Sequence, residues 1–230
     1  MATPRVNAPI FAGLALAWGG TAFLIGPIER LFGEPGALSA NVIGQLTLWL
    51  IAAAVLAIVW LWEGESLRSL WLQPLRWQSI GWGVGFTAVN YAVLFPAGEF
   101  VRRAAGLPGF EMGMAPLIVL PLWYRIWAVL GAGVVEELLF RGYTVTRLTK
   151  LLGRPWLAAA ITVVAFAVLH VPHWGWGFAV GGMFGGAVAM AFFLWRRDLV
   201  AMMVFHTITD ATGLIIAPLF SEWWLAPGMR

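Results

Sequence analysis

The chain has 230 residues, of which 61% are hydrophobic and 11% charged, and its mean hydropathy is +0.84. A soluble domain carries about 25% charged residues, so this composition excludes an ordinary soluble fold and points to an all-α, polytopic membrane protein. The net charge of +3 comes from scattered arginines and Lys150 rather than from a basic run, which argues against a nucleic-acid partner, and the absence of cysteine removes disulfides, thiolate metal sites and a cysteine nucleophile.

Apolar segments of helical length fall at 9–28, 38–62, 79–97, 117–146, 156–170, 175–195 and 199–219, which predicts about seven spans. The first, with Arg5 before it, is taken as a span rather than a cleaved signal, because no small-x-small site follows and more spans do. Between the second and third segments, Leu67, Leu70, Trp71 and Leu75 recur at helical spacing against Arg68 and Arg76, as in an interfacial amphipathic helix. The Gly- and Pro-rich stretch 104–121, holding Glu111, reads as a loop or re-entrant piece. Residues 1–114 then form N-terminal spans with the amphipathic helix, and 115–220 a core, in one integral membrane domain without internal repeat. Tryptophans at the ends of apolar runs, among them Trp18, Trp60, Trp62, Trp77, Trp82, Trp156, Trp174, Trp195, Trp223 and Trp224, suit the headgroup level of a lipid bilayer. Arg68, Arg76, Arg147, Lys150, Arg154, Arg196 and Arg197 share the N-terminal side, against Arg30, Arg102, Arg103, Arg125 and Arg230 on the other, which places the N-terminus in the cytoplasm.

Residues 134–143, VVEELLFRGY, set Glu136, Glu137 and Arg141 inside an apolar stretch. A charge at the bilayer centre costs about 2.5–3.5 kcal/mol on insertion scales, so three need partners or a function. Glu137 and Arg141 are four apart, share a helix face and neutralise each other as a structural pair. Glu136 points about 100° away and is left to face a cavity. Two further polar pairs follow at the same spacing, Phe166 with His170 and His206 with Asp210. At about 1.5 Å of rise per residue from the turn near residue 151, Glu136 and His170 differ in depth by only about 6 Å. His206 and Asp210 lie roughly 12 and 18 Å along their own helix, so the groups can converge.

Such a cluster suits the activation of water. Glu136 serves as general base and His170 positions the water or carries the proton onward, with His206 and Asp210 toward a carbonyl oxygen and Phe166 in the pocket wall. Alternatively Glu136, His170 and His206, with or without Asp210, are the ligand types of a divalent metal site such as zinc, although HExxH is absent. His173, after Pro172, reads as an interfacial loop residue. Gly181, Gly182, Gly185 and Gly186 form two small-xxx-small pairs that suit close helix packing.

The ordered set EExxxR at Glu136, Glu137 and Arg141, FxxxH at Phe166 and His170, and HxxxD at His206 and Asp210 resembles the CAAX protease and bacteriocin-processing family of intramembrane endopeptidases, also called CPBP or Abi, over roughly residues 115–220. The resemblance implies a helical membrane bundle and hydrolysis of a peptide bond near the C-terminus or leader of a peptide or membrane-protein substrate. It implies Glu136 as base, His170 as its partner on the water, and His206 with Asp210 on the oxyanion side. Glu137 and Arg141 are implied to hold the helices together. The prenyl-protein proteases carry Asn at the last position; an ionised Asp210 cannot donate to an oxyanion, so it is protonated, orients His206 or binds metal. The family is described both as metallopeptidase and as metal-independent glutamate peptidase, so a cofactor is either none or a divalent metal. The rival functions are a noncatalytic membrane scaffold or immunity protein of the same fold and a proton or metal-ion transporter. A prokaryotic source would place the chain in the inner membrane.

Overall fold

The structure is a computed structural model that describes residues 7–109 and 111–220; the side chains of Glu111 and Met112 lie outside that description, as do Arg5, Trp223, Trp224 and Arg230. The described residues are all-helical. In chain order they form α1 (Ala8–Phe23), α2 (Ile25–Arg30), α3 (Leu38–Trp62), α4 (Trp77–Ala104), α5 (Glu111–Ile118), α6 (residues 122–152), α7 (Pro155–Arg196) and α8 (Leu199–Phe220). Four of them, α3, α4, α7 and α8, have the length and apolarity to cross a membrane, with only 22–33% of each apolar window buried inside the protein. Their outward faces are therefore apolar, as contact with lipid requires.

Local chemistry sets the boundaries. Gly153, at φ 65°, takes the left-handed conformation that ends α6, and Pro155 opens α7 where its missing N–H costs nothing. Asp198 caps α8 by accepting from Ala201 N, and its other oxygen accepts from Ser79 Oγ at 2.7 Å. Inside α7 the helical dihedrals fail only at Gly175 (φ 76°, ψ 170°), which divides a 42-residue run into two helices. Pro172 and His173 are thus helical rather than looped; His173 is exposed and does not line the cavity described below.

α6 differs from the rest. Its central part, Gly131–Val145, is a π-helix, and 12 of those 15 residues are buried. Such wide turns are rare and gather at functional sites. The segment is packed by α3, α7 and α8, and Gly133, facing Thr207, lets α8 approach closely. Around it sit Leu48, Ile51, Val55, Leu139 and Tyr143 on one flank, and Phe86, Val145, Phe193, Leu199 and Phe205 on the other. The charges that made this segment costly in lipid are therefore enclosed by protein.

Two expectations are corrected. Residues 63–76 do not form an amphipathic helix. They hold one 3₁₀ turn, Leu67–Leu70, stopped by Trp71 at φ 57°, with Gly64 at φ 67° before it and Pro74 after. Leu70 is fully buried, Trp71 O accepts from Leu199 N, and Ser69 bonds to Arg147, so this strap binds the ends of α6 and α8 instead of floating at an interface. The stretch 104–121 contains the helix α5, packed against α7 and α8. The chain then turns at Pro121, so α6 starts at Leu122 rather than near 117. Arg147, expected among the loop charges, is buried and paired with Glu63 Oε2 at 2.6 Å, while Arg102 and Arg103 end α4 paired with Glu99.

Candidate active site

A cavity of about 400 Å³ lies between α4, α6, α7 and α8. Glu136, Arg141, Phe166, His170, His206 and Asp210 all line it. Three sequence segments thus meet at one hollow, as their depths predicted. The remaining motif acid, Glu137, is fully buried and is not among the lining residues.

Glu136 projects from the π-helical part of α6, and its Oε2 stands 3.9 Å from His170 Nε2. Their side chains are 20% and 18% exposed, an exposure that opens onto the cavity. The gap exceeds a direct hydrogen bond and matches a bridging water. His170 Nδ1 lies 2.8 Å from the Phe166 carbonyl oxygen. A carbonyl only accepts, so Nδ1 carries the hydrogen and the neutral ring offers its lone pair at Nε2, toward Glu136. The FxxxH spacing thereby acquires a second meaning, since one helical turn lets the backbone of Phe166 fix the ring. The Phe166 side chain packs 4.3 Å from that ring, centroid to centroid, and edge-on to Phe140 at 5.1 Å.

Across the hollow, His206 Nε2 is 3.6 Å from Asp210 Oδ2 on the next turn of α8. Its Nδ1 is 2.6 Å from Glu137 Oε1, the same oxygen that pairs with Arg141. The Glu137–Arg141 pair follows the i,i+4 expectation. The bond from Glu137 to His206 does not appear in any local pattern, because it joins residues 69 apart. Also outside the sequence motifs are Glu99 and Arg102, an ion pair at the α4 side of the cavity, and Tyr91, whose hydroxyl donates to Thr209 O at 3.1 Å. Gly181, Gly182, Gly185 and Gly186 of α7 all line the cavity, and Gly181 in addition packs backbone to backbone on Gly98, as close helix packing requires.

The zinc alternative does not fit this arrangement. Among the described residues, no three His, Asp or Glu side chains are grouped to hold one metal ion. The reason is visible in the imidazoles: both Nδ1 atoms are engaged, and the two Nε2 atoms face different carboxylates, Glu136 and Asp210.

Residues 118–212 match a protein-family model described as type II CAAX prenyl endopeptidase Rce1-like. The matched stretch holds all three motifs and every lining residue that they contribute. Neither the curated proteins nor the solved structures gave a match. Over residues 118–212, less than half of its length, the chain is therefore similar to the type II CAAX prenyl endopeptidases, and its described residues form a helical bundle with four helices long and apolar enough to cross a membrane.

Proposed function

We propose that the protein is an intramembrane endopeptidase that hydrolyses a peptide bond of a membrane-associated peptide or protein, with Glu136 and His170 activating the water. The observation that carries this reading is the face-to-face placement of Glu136 Oε2 and His170 Nε2, 3.9 Å apart, on the wall of a largely apolar cavity. A water seated between them gives one hydrogen to each acceptor, leaving its oxygen lone pair free for the substrate carbonyl carbon. Glu136 takes the proton as the C–O bond forms, and returns it to the amide nitrogen as the C–N bond breaks. His170 holds the water in line. The carbonyl oxygen faces His206 Nε2, which donates to the developing oxyanion when the ring carries both hydrogens. Asp210, beside that nitrogen, then orients and balances the ring rather than donating itself. Glu137 and Arg141 are supporting residues in this scheme, and Phe166 walls the site.

Peptide identification of new C-termini in membranes that carry the wild-type chain, against membranes carrying Glu136→Gln, tests the proposal. Termini dependent on the wild type are expected, with their formation lowered about 10²–10⁴-fold by Glu136→Gln, which keeps the shape and removes the base. His170→Ala acts likewise. Equal termini in wild type and Glu136→Gln would end the mechanism as drawn.

A further inference from the structure

Glu137 sits behind the cavity wall, fully buried, yet one of its oxygens receives two donors from two helices. Arg141 comes from its own helix, one turn on. His206 comes from α8, and at 2.6 Å its Nδ1 makes a short, charge-assisted contact. A pair whose task was only to neutralise two charges within α6 would need no third member. The other Glu137 oxygen has no hydrogen-bond partner among the described residues, so the carboxylate is aimed at this junction rather than spread over several donors. A carboxylate accepts and does not donate, so the His206 hydrogen belongs on Nδ1. The nitrogen left for the cavity is Nε2.

We infer that Glu137 is a positioning residue for the hydrolysis: its bond to His206 Nδ1–H fixes the tilt of the imidazole so that, when the ring carries both hydrogens, its Nε2–H is aimed at the substrate carbonyl oxygen. The inference rests on the peptidase reading for its purpose, but its geometric content stands separately. Arg141 holds the carboxylate in place and balances its charge. The second glutamate of the EE pair thus acts on the site through another residue, while the first faces the water directly. Without Glu137 the ring is free to turn about its side-chain bonds, and although a neutral ring can then carry its hydrogen on Nε2, that nitrogen is no longer held toward the carbonyl oxygen.

The experiment uses the full chain in lipid, labelled with nitrogen-15 at its three histidines, with His170→Gln and His173→Gln samples to assign the signals. Nitrogen-15 NMR should show a hydrogen on Nδ1 of His206 in the wild type. In the paired variant Glu137→Met with Arg141→Met, which leaves no buried charge unmatched, that hydrogen should move to Nε2. Cleavage of a quenched prenylated CAAX peptide by the same variant should show kcat lowered at least about 10²-fold, with KM changed less than about threefold. A role confined to helix packing would lower the folded yield and leave both the nitrogen signature and the kcat of folded molecules unchanged. A bare Nδ1 in the wild type overturns the inference even if the paired variant does not fold. So does a variant that loses turnover while keeping its hydrogen on Nδ1. Failure of the peptidase reading shows itself elsewhere, as Glu136→Gln cleaving at the wild-type rate, and leaves the NMR result intact.

Discussion

Arg147 offers the most quantitative test of how the site helix is held. Its side chain is fully buried, two turns beyond the polar cluster on α6. Nε and Nη2 reach Glu63 Oε2 at 2.8 and 2.6 Å, Nη2 donates to Ser69 Oγ at 2.8 Å, and Nη1 to Thr146 Oγ1 at 3.1 Å. Glu63, itself 5% exposed, accepts in addition from the Tyr143 hydroxyl at 2.9 Å. Arg147→Met strands that carboxylate with only the phenol for company. Breaking one side of a buried pair costs about 3–5 kcal/mol, or about two to three and a half powers of ten in the folded fraction. Replacing both partners, Glu63→Met with Arg147→Met, removes the stranded charge. The remaining cost is that of the Ser69 hydroxyl left without its donor, about 1–2 kcal/mol, because the Tyr143 hydroxyl keeps the Pro9 and Ile10 carbonyls at 3.4 Å. Reversible unfolding in mixed micelles, followed by circular dichroism, measures both variants. A single variant within about 1 kcal/mol of the wild type, or a double variant as costly as the single, would refute the buried-pair account.

Two glycines should respond in opposite ways. A side chain at Gly186 enters the cavity, where nothing stands within 4 Å, so Gly186→Leu should keep its thermal stability while raising KM for bulky substrates. A side chain at Gly98 meets the Gly181 carbonyl oxygen at 2.5 Å, so Gly98→Leu should lose about 1–3 kcal/mol in the same unfolding assay. Purified active protein, assayed after chelation with its metal content measured by mass spectrometry, should turn over substrate without a stoichiometric ion; activity that returns only with one bound divalent ion would overturn the Glu136 and His170 water site.

The residues that the sequence made legible are those whose partners lie one turn away or whose depth follows from counting. Glu137 with Arg141 is such a case, and so is the meeting of Glu136, His170, His206 and Asp210, since helical rise alone put them at compatible levels. What stayed hidden depends on which helix faces which. Glu137 to His206 spans 69 positions and Glu63 to Arg147 spans 84, and neither has a periodicity to announce it. The strap 63–76 misled because Leu67, Leu70 and Trp71 are spaced as in a helix. Gly64 and Pro74 bracket a stretch too short to nucleate one, and burial of Leu70 rewarded a tight turn instead. Arg102 looked like a loop charge because the sequence does not say that α4 turns its last stretch toward the hollow.

The break at Gly175 carries an implication for how this chain can vary. Its dihedrals, φ 76° and ψ 170°, belong to a region that only glycine occupies without strain, so the corner is bound to one residue type. On one side of the corner stands His170, on the other the bare face of Gly182 and Gly186. Each added residue rotates a helix by about 100°, so a single insertion between His170 and the corner would swing that face out of the wall and bring side chains into the hollow. Length polymorphism should therefore be absent from this five-residue interval, while the turn at 31–37, remote from the site, is free to grow or shrink.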